Sequence, residues 1–80
     1  MAETLNTKNI QEVVDYIKDL SHKNFKREIC GFVGYAPASK EYVVQHEENI
    51  SPDPASYFLI NPLNYLLFKD QYEMVAIFHS

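Results

Sequence analysis

Apolar residues recur at Ile10, Val13, Val14, Ile17 and Leu20, steps of three and four that place them on one helix face. The spacing predicts a helix over about Lys8 to Leu20, capped by Asn6 or Thr7. Glu12 lies early in it, where a carboxylate suits the helix dipole, and the polar run from Ser21 to Asn24 ends it. The pattern then shortens. Ile29-Cys30-Gly31-Phe32-Val33-Gly34-Tyr35 is a compact apolar run rich in β-branched and aromatic residues and reads as a buried strand. Ala36 to Ser39 is a turn, and Glu41 to His46 reads as a second strand around Tyr42, Val43 and Val44. A proline-bearing loop from Asn49 to Pro54 leads to a short third strand, Tyr57-Phe58-Leu59-Ile60.

Asn61-Pro62 is a helix start, because asparagine caps and proline fits a first position whose N–H has no partner. Leu63, Leu66 and Leu67 are the expected buried face of this helix, which reaches about Asp70. Met74 to Ser80 reads as a last strand, and the chain stops inside it. The predicted order is α-β-β-β-α-β, an α/β (α+β) fold with helices packed on a sheet. A strand cut short in this way raises the expectation that the sheet continues past Ser80. A strand at the sheet edge is the plainer alternative.

Composition narrows the class. Eighty residues allow one domain, and a 46% hydrophobic fraction with six tyrosines and five phenylalanines is globular. The net charge of -4, with basic residues clustered only at Lys23, Lys26 and Arg27, argues against a nucleic-acid face. No basic start followed by an apolar run marks a signal peptide, and no apolar stretch is long enough to span a membrane. A single cysteine excludes an internal disulfide and fits a reducing compartment. A cytoplasmic location is the expectation.

Candidate chemistry is sparse. Glu28 directly precedes the first apolar strand, where a carboxylate can act as a general base or acid; by itself it reads as a solvated glutamate beside Arg27. His79 ends the last strand, and two histidines spaced H-x-H share a strand face and can grip one metal. Only the first is present, and alone it reads as a hydrogen-bonded core or surface histidine. Cys30 shares a strand face with Glu28, but it reads as a small buried hydrophobe more readily than as a nucleophile. His22 and His46 are isolated; His46 with Glu47 and Glu48 could suggest a metal patch, but the two acids read as solvated loop residues, and Asp53 between Pro52 and Pro54 is turn chemistry. Tyr35, Tyr42, Tyr57, Tyr65 and Tyr72 are too dispersed for a stacking platform.

Three segments together resemble a known family. Residues 27–34, Arg-Glu-Ile-Cys-Gly-Phe-Val-Gly, resemble the E-x-C-G strand of JAB/MPN (JAMM-type) domains. Residues 51–62, Ser-Pro-Asp-Pro-Ala-Ser-Tyr-Phe-Leu-Ile-Asn-Pro, look like the loop and helix start of prokaryotic and phage tail-assembly members. Residues 74–80, Met-Val-Ala-Ile-Phe-His-Ser, resemble the strand that enters their H-S-H-P motif. The resemblance implies a cytidine-deaminase-like mixed sheet with flanking helices, of which residues 1–80 are one partial JAB/MPN domain truncated in its central strand. It implies a zinc metallopeptidase or isopeptidase in which Glu28 activates a zinc-bound water against an amide bond and His79 is the first metal ligand. The second histidine, the ligating aspartate and the oxyanion-stabilising serine have no counterpart here, Ser80 being the middle residue of H-S-H. The chain itself is therefore expected to be inactive and to hold no zinc tightly. Expected partners are a protein or peptide substrate and a second chain at the open sheet edge, with no nucleic acid and no membrane. A phage-derived protein would work in the virion or host cytoplasm. The alternative reading is a metal-free scaffold or phage tail-assembly interaction module.

Overall fold

The computed structural model describes residues 3–80, with side chains from Thr4 onward. The domain expected over 1–80 is described from Glu3, and residues 1 and 2 lie outside. A strand, β1 (Glu3–Thr7), precedes the first helix, α1 (Ile10–Lys23). There follow β2 (Cys30–Ala36), β3 (Glu41–Glu47), α2 (Pro62–Gln71) and β4 (Glu73–His79). The expected α-β-β-β-α-β order is thus corrected to β-α-β-β-α-β. Glu3–Thr7 is a strand, and Tyr57–Ile60 is not.

Both differences have local causes. β1 carries one apolar residue among its polar neighbours, Leu5, so period-two hydrophobicity has almost nothing to register. It is an edge strand whose partner is β3, with Leu5 opposite Val44. Residues 57–60 do keep the alternation of a strand, with Tyr57 and Leu59 exposed and Phe58 and Ile60 half-buried. Their backbone lies against the loop at Asn49–Ile50 instead of a ladder. Ile50 N donates to Leu59 O at 2.9 Å, and Leu59 N donates to the Asn49 side chain at 3.1 Å.

The α1 cap is Asn9, whose Oδ1 accepts from Gln11 N at 2.8 Å, in place of the expected Asn6 or Thr7. Thr7 assists two residues earlier. Its hydroxyl accepts from Asn9 N at 3.1 Å and donates to Glu12 at 3.0 Å, tying the first turn to the end of β1. Asn24 closes the other end through Asn24 N and its own Nδ2, both on Leu20 O. The buried face of α1 runs through Val13, Tyr16, Ile17 and Leu20, while Ile10 and Val14 stay exposed.

The sheet has four strands in the order β1-β3-β2-β4, all antiparallel. The mixed sheet that the resemblance implies is therefore not what these residues form, and β4, where the sequence stops, is an edge strand. Central β2 and β3 feed two cores because successive side chains take opposite faces. Val33, Val44 and Phe78 pack with Val13 and Leu20 of α1. Phe32 and Val43 pack with Phe68 of α2 on the other face. A bulge between Val33 and Gly34 offsets β4, so that Val33 faces Ala76 and Gly34 faces Met74.

Helix α2 begins as expected, with Asn61 Oδ1 accepting from Leu63 N at 2.9 Å and Pro62 in the first turn. Its buried residue is Phe68, not the leucines. Leu63, Leu66 and Leu67 are exposed, as are Val75 and Ile77 on β4. Among the described residues no helix is long and apolar enough to cross a membrane.

Candidate functional site

Antiparallel pairing of β2 and β4 brings the two ends of the sequence motifs together. Cys30 lies opposite His79, and Ser80 is stitched to Ile29: Ile29 N donates to Ser80 Oγ at 3.0 Å, and Ser80 N to Ile29 O at 3.2 Å. Glu28 and His79 thus stand at the same end of the sheet, on the lead-in to β2 and the last residue of β4. Glu28 is half-buried and His79 is exposed. The imidazole is stacked on Phe58, with ring centroids 4.6 Å apart and 15° between planes. This contact gives the 57–60 segment a place in the site, because it fixes the plane of the His79 ring.

A cavity of about 260 Å³ opens beside Glu28, between the start of β2 and the end of β3. Its wall includes Asn24, Arg27, Glu28, His46, Glu48 and Asn49. It falls just short of the roughly 300–1,000 Å³ typical of small-ligand sites. Glu47 also lines it, and here the sequence reading needs correction. Glu47 is the last residue of β3, buried, and accepts from Gln45 Nε2 at 2.7 Å, so it is no solvated loop acid. Glu48 is exposed as expected, and His22 is exposed in the last turn of α1. Asp53 makes the expected turn, its carbonyl accepting from Ser56 N and Tyr57 N.

Cys30 sits among these groups but is not poised for nucleophilic work. It is fully buried, and its Sγ lies 3.8 Å from Glu47 O. Burial, and then the charges of Glu47 and Glu28, push its thiol from the ordinary 9.0 up to about 11. At neutral pH it is a thiol, which is a poor nucleophile. Two outcomes follow. Iodoacetamide at pH 8 leaves folded protein unlabelled and labels it in urea; rapid labelling without denaturant contradicts this. The linkage sign is also fixed. The unfolded thiol ionises first, so stability contributed by this group is intact below pH 9 and falls as pH rises from about 9 to about 11.

Asn49 was not singled out by its sequence context, yet it is the polar centre of this end of the molecule. It is 7% exposed. Its Nδ2 lies 2.9 Å from Glu28 O and 2.9 Å from Tyr57 O, and its Oδ1 accepts from Ser51 N and Leu59 N. The Ser51 bond is an Asx-turn, and an asparagine two residues before a serine at a strand end is the local signal for it.

A catalytic zinc keeps three protein ligands. Among the described residues no group of three His, Cys, Asp or Glu side chains could hold a metal ion. No family model matches the sequence, no curated protein is significantly similar to it, and no solved structure matches the fold. The likeness to JAB/MPN domains rests on the motif residues alone.

Proposed function

We propose that the chain carries the first half of the site of a zinc-dependent peptidase or isopeptidase domain of JAB/MPN type. Glu28 is its proton acceptor for the water that attacks an amide carbonyl, and His79 is one metal ligand. The observation that supports this is the β2–β4 register, which pairs Cys30 with His79 and so places Glu28 and His79, far apart in sequence, at one end of the sheet. A half-buried carboxylate facing a cavity suits general-base work, which needs reach to the proton and shelter from bulk water. The substrate is a protein or peptide, because the reaction class is amide hydrolysis. The chain itself hydrolyses nothing, since the remaining zinc ligands are missing from its sequence.

Calorimetric titration with zinc at pH 7 therefore shows no submicromolar, one-to-one binding. Tight binding that disappears in His79→Ala contradicts this account and means that further ligands come from elsewhere, a second chain included.

One observation favours a second reading, a metal-free scaffold or tail-assembly interaction module. Leu63, Leu66 and Leu67 on α2, with Val75 and Ile77 on β4, leave apolar side chains exposed beside an unpaired strand edge. Such an edge invites a partner strand. In light scattering the chain forms dimers or larger species as concentration rises; a monodisperse monomer at high concentration goes against this reading.

A further inference from the structure

Residues 27–29 lie outside the β2–β3 ladder, yet their backbone is held on both sides. Glu28 N donates to Pro54 O at 2.7 Å, and Glu28 O accepts from Asn49 Nδ2 at 2.9 Å. Ile29 is bonded to Ser80 at both its N–H and its carbonyl. Arg27 lines the same cavity as Glu28, its Nη2 donating to Asn49 O at 3.0 Å.

Asn49 is the element that makes the clamp possible. An amide NH₂ has two hydrogens, and the two close carbonyls, Glu28 O and Tyr57 O, take both; Pro54 O at 3.4 Å is a longer third neighbour. The carbonyl oxygen of the same side chain takes Ser51 N and Leu59 N. One buried side chain thereby closes the loop from Ser51 to Leu59 and fastens it to residue 28. An aspartate of the same shape would keep the two bonds to Oδ1 but would set a carboxylate oxygen against carbonyls where Nδ2 now donates.

We propose that Asn49 is a positioning residue for Glu28, locking the 49–59 loop onto the backbone of residue 28 and so fixing where the Glu28 carboxylate stands in the cavity. The proposal rests on the reading of Glu28 as proton acceptor. General-base efficiency depends on placement within hydrogen-bond reach, and a base carried on a loose lead-in segment loses it.

The test is nuclear magnetic resonance on the full chain and on Asn49→Asp, reading amide exchange and residual dipolar couplings. The expected result is that the Glu28 amide, which donates to Pro54 O in the loop that Asn49 closes, exchanges about tenfold faster or more once that loop is released. The Glu28 couplings move with it, while the Val33 and Val44 amides keep their protection. A merely structural Asn49 would speed exchange uniformly and leave the Glu28 couplings where they were, and that result overturns the proposal. If Asn49→Asp does not fold, the wild type decides. Slowly exchanging Asn49 Nδ2 protons with cross-relaxation to Glu28 support the clamp, and their absence overturns it. Failure of the hydrolase reading is seen separately, in the sequence encoded beyond Ser80.

Discussion

Phe32→Ala removes a large share of the domain's stability. Phe32 is fully buried at the centre of the α2 face of the sheet, with its ring centroid 5.0 Å from that of Phe68 and 6.0 Å from that of Tyr65. Truncation removes the ring and leaves a void between Val43 and Phe68 in the same core. Such a change costs about 3–5 kcal/mol. At about 0.05–0.15 kcal/mol per residue, an 80-residue domain has roughly 4–12 kcal/mol in all. Urea denaturation followed by circular dichroism measures the loss. A cost below about 1 kcal/mol would mean that the Phe32 cluster is not a core.

Gly31→Ala is expected to cost about 3 kcal/mol, the upper end of overpacking. A Cβ at this position would overlap the Gln45 carbonyl oxygen on one side and the Phe78 ring on the other. The ring of Phe78 already occupies the space over Gly31, its partner in the β2–β4 register. The backbone oxygen cannot move without breaking the β2–β3 ladder, so the strain has no cheap outlet. Gly34→Ala is the control. Its Cβ would meet the Phe68 ring at 2.7 Å and Tyr72 Cβ at 2.9 Å, which are side-chain atoms of a helix end that can shift. Parallel urea melts should rank Gly31→Ala as the more damaging. The opposite ranking would place the tighter contact at α2 and not within the sheet.

Gly34 also explains why the second helix was misread. The missing side chain leaves a hollow on the α2 face, and the aromatic ring of Phe68 fills it. Helical spacing of leucines gave no hint of this, because the shape of the opposing surface chose the buried residue. The start of the same helix was legible, since Asn61-Pro62 acts through its own backbone. The apolar run of β2 was legible for a similar reason: both of its faces are covered, so the signal is continuous. Tyr57–Ile60 shows the limit of alternation as evidence. It reports that alternate side chains are sheltered, and an extended loop across the end of a sheet meets that condition as well as a strand does.

The site was legible unevenly. Glu28 and His79 stood out only as parts of longer motifs, and their meeting depended on strand order that no local pattern encodes. The Asx-turn of Asn49 had a local signal, but its decisive partner, Glu28, is 21 residues away. A buried amide looks like any loop asparagine until its carbonyl partners are in place. The burial of Glu47 was missed because the strand runs through Glu47, one residue past the expected end at His46.

The central claim is that Glu28 and His79 belong to a zinc hydrolase site completed by residues beyond this sequence. The most direct measurement is to read the gene past the codon for Ser80. The account predicts that the next codon encodes histidine, giving H-x-H from His79, and that a Ser-x-x-Asp segment follows within about ten residues, supplying the third zinc ligand. A stop codon, or other residues at those positions, contradicts it, and leaves Glu28 and His79 as structural residues of a metal-free protein.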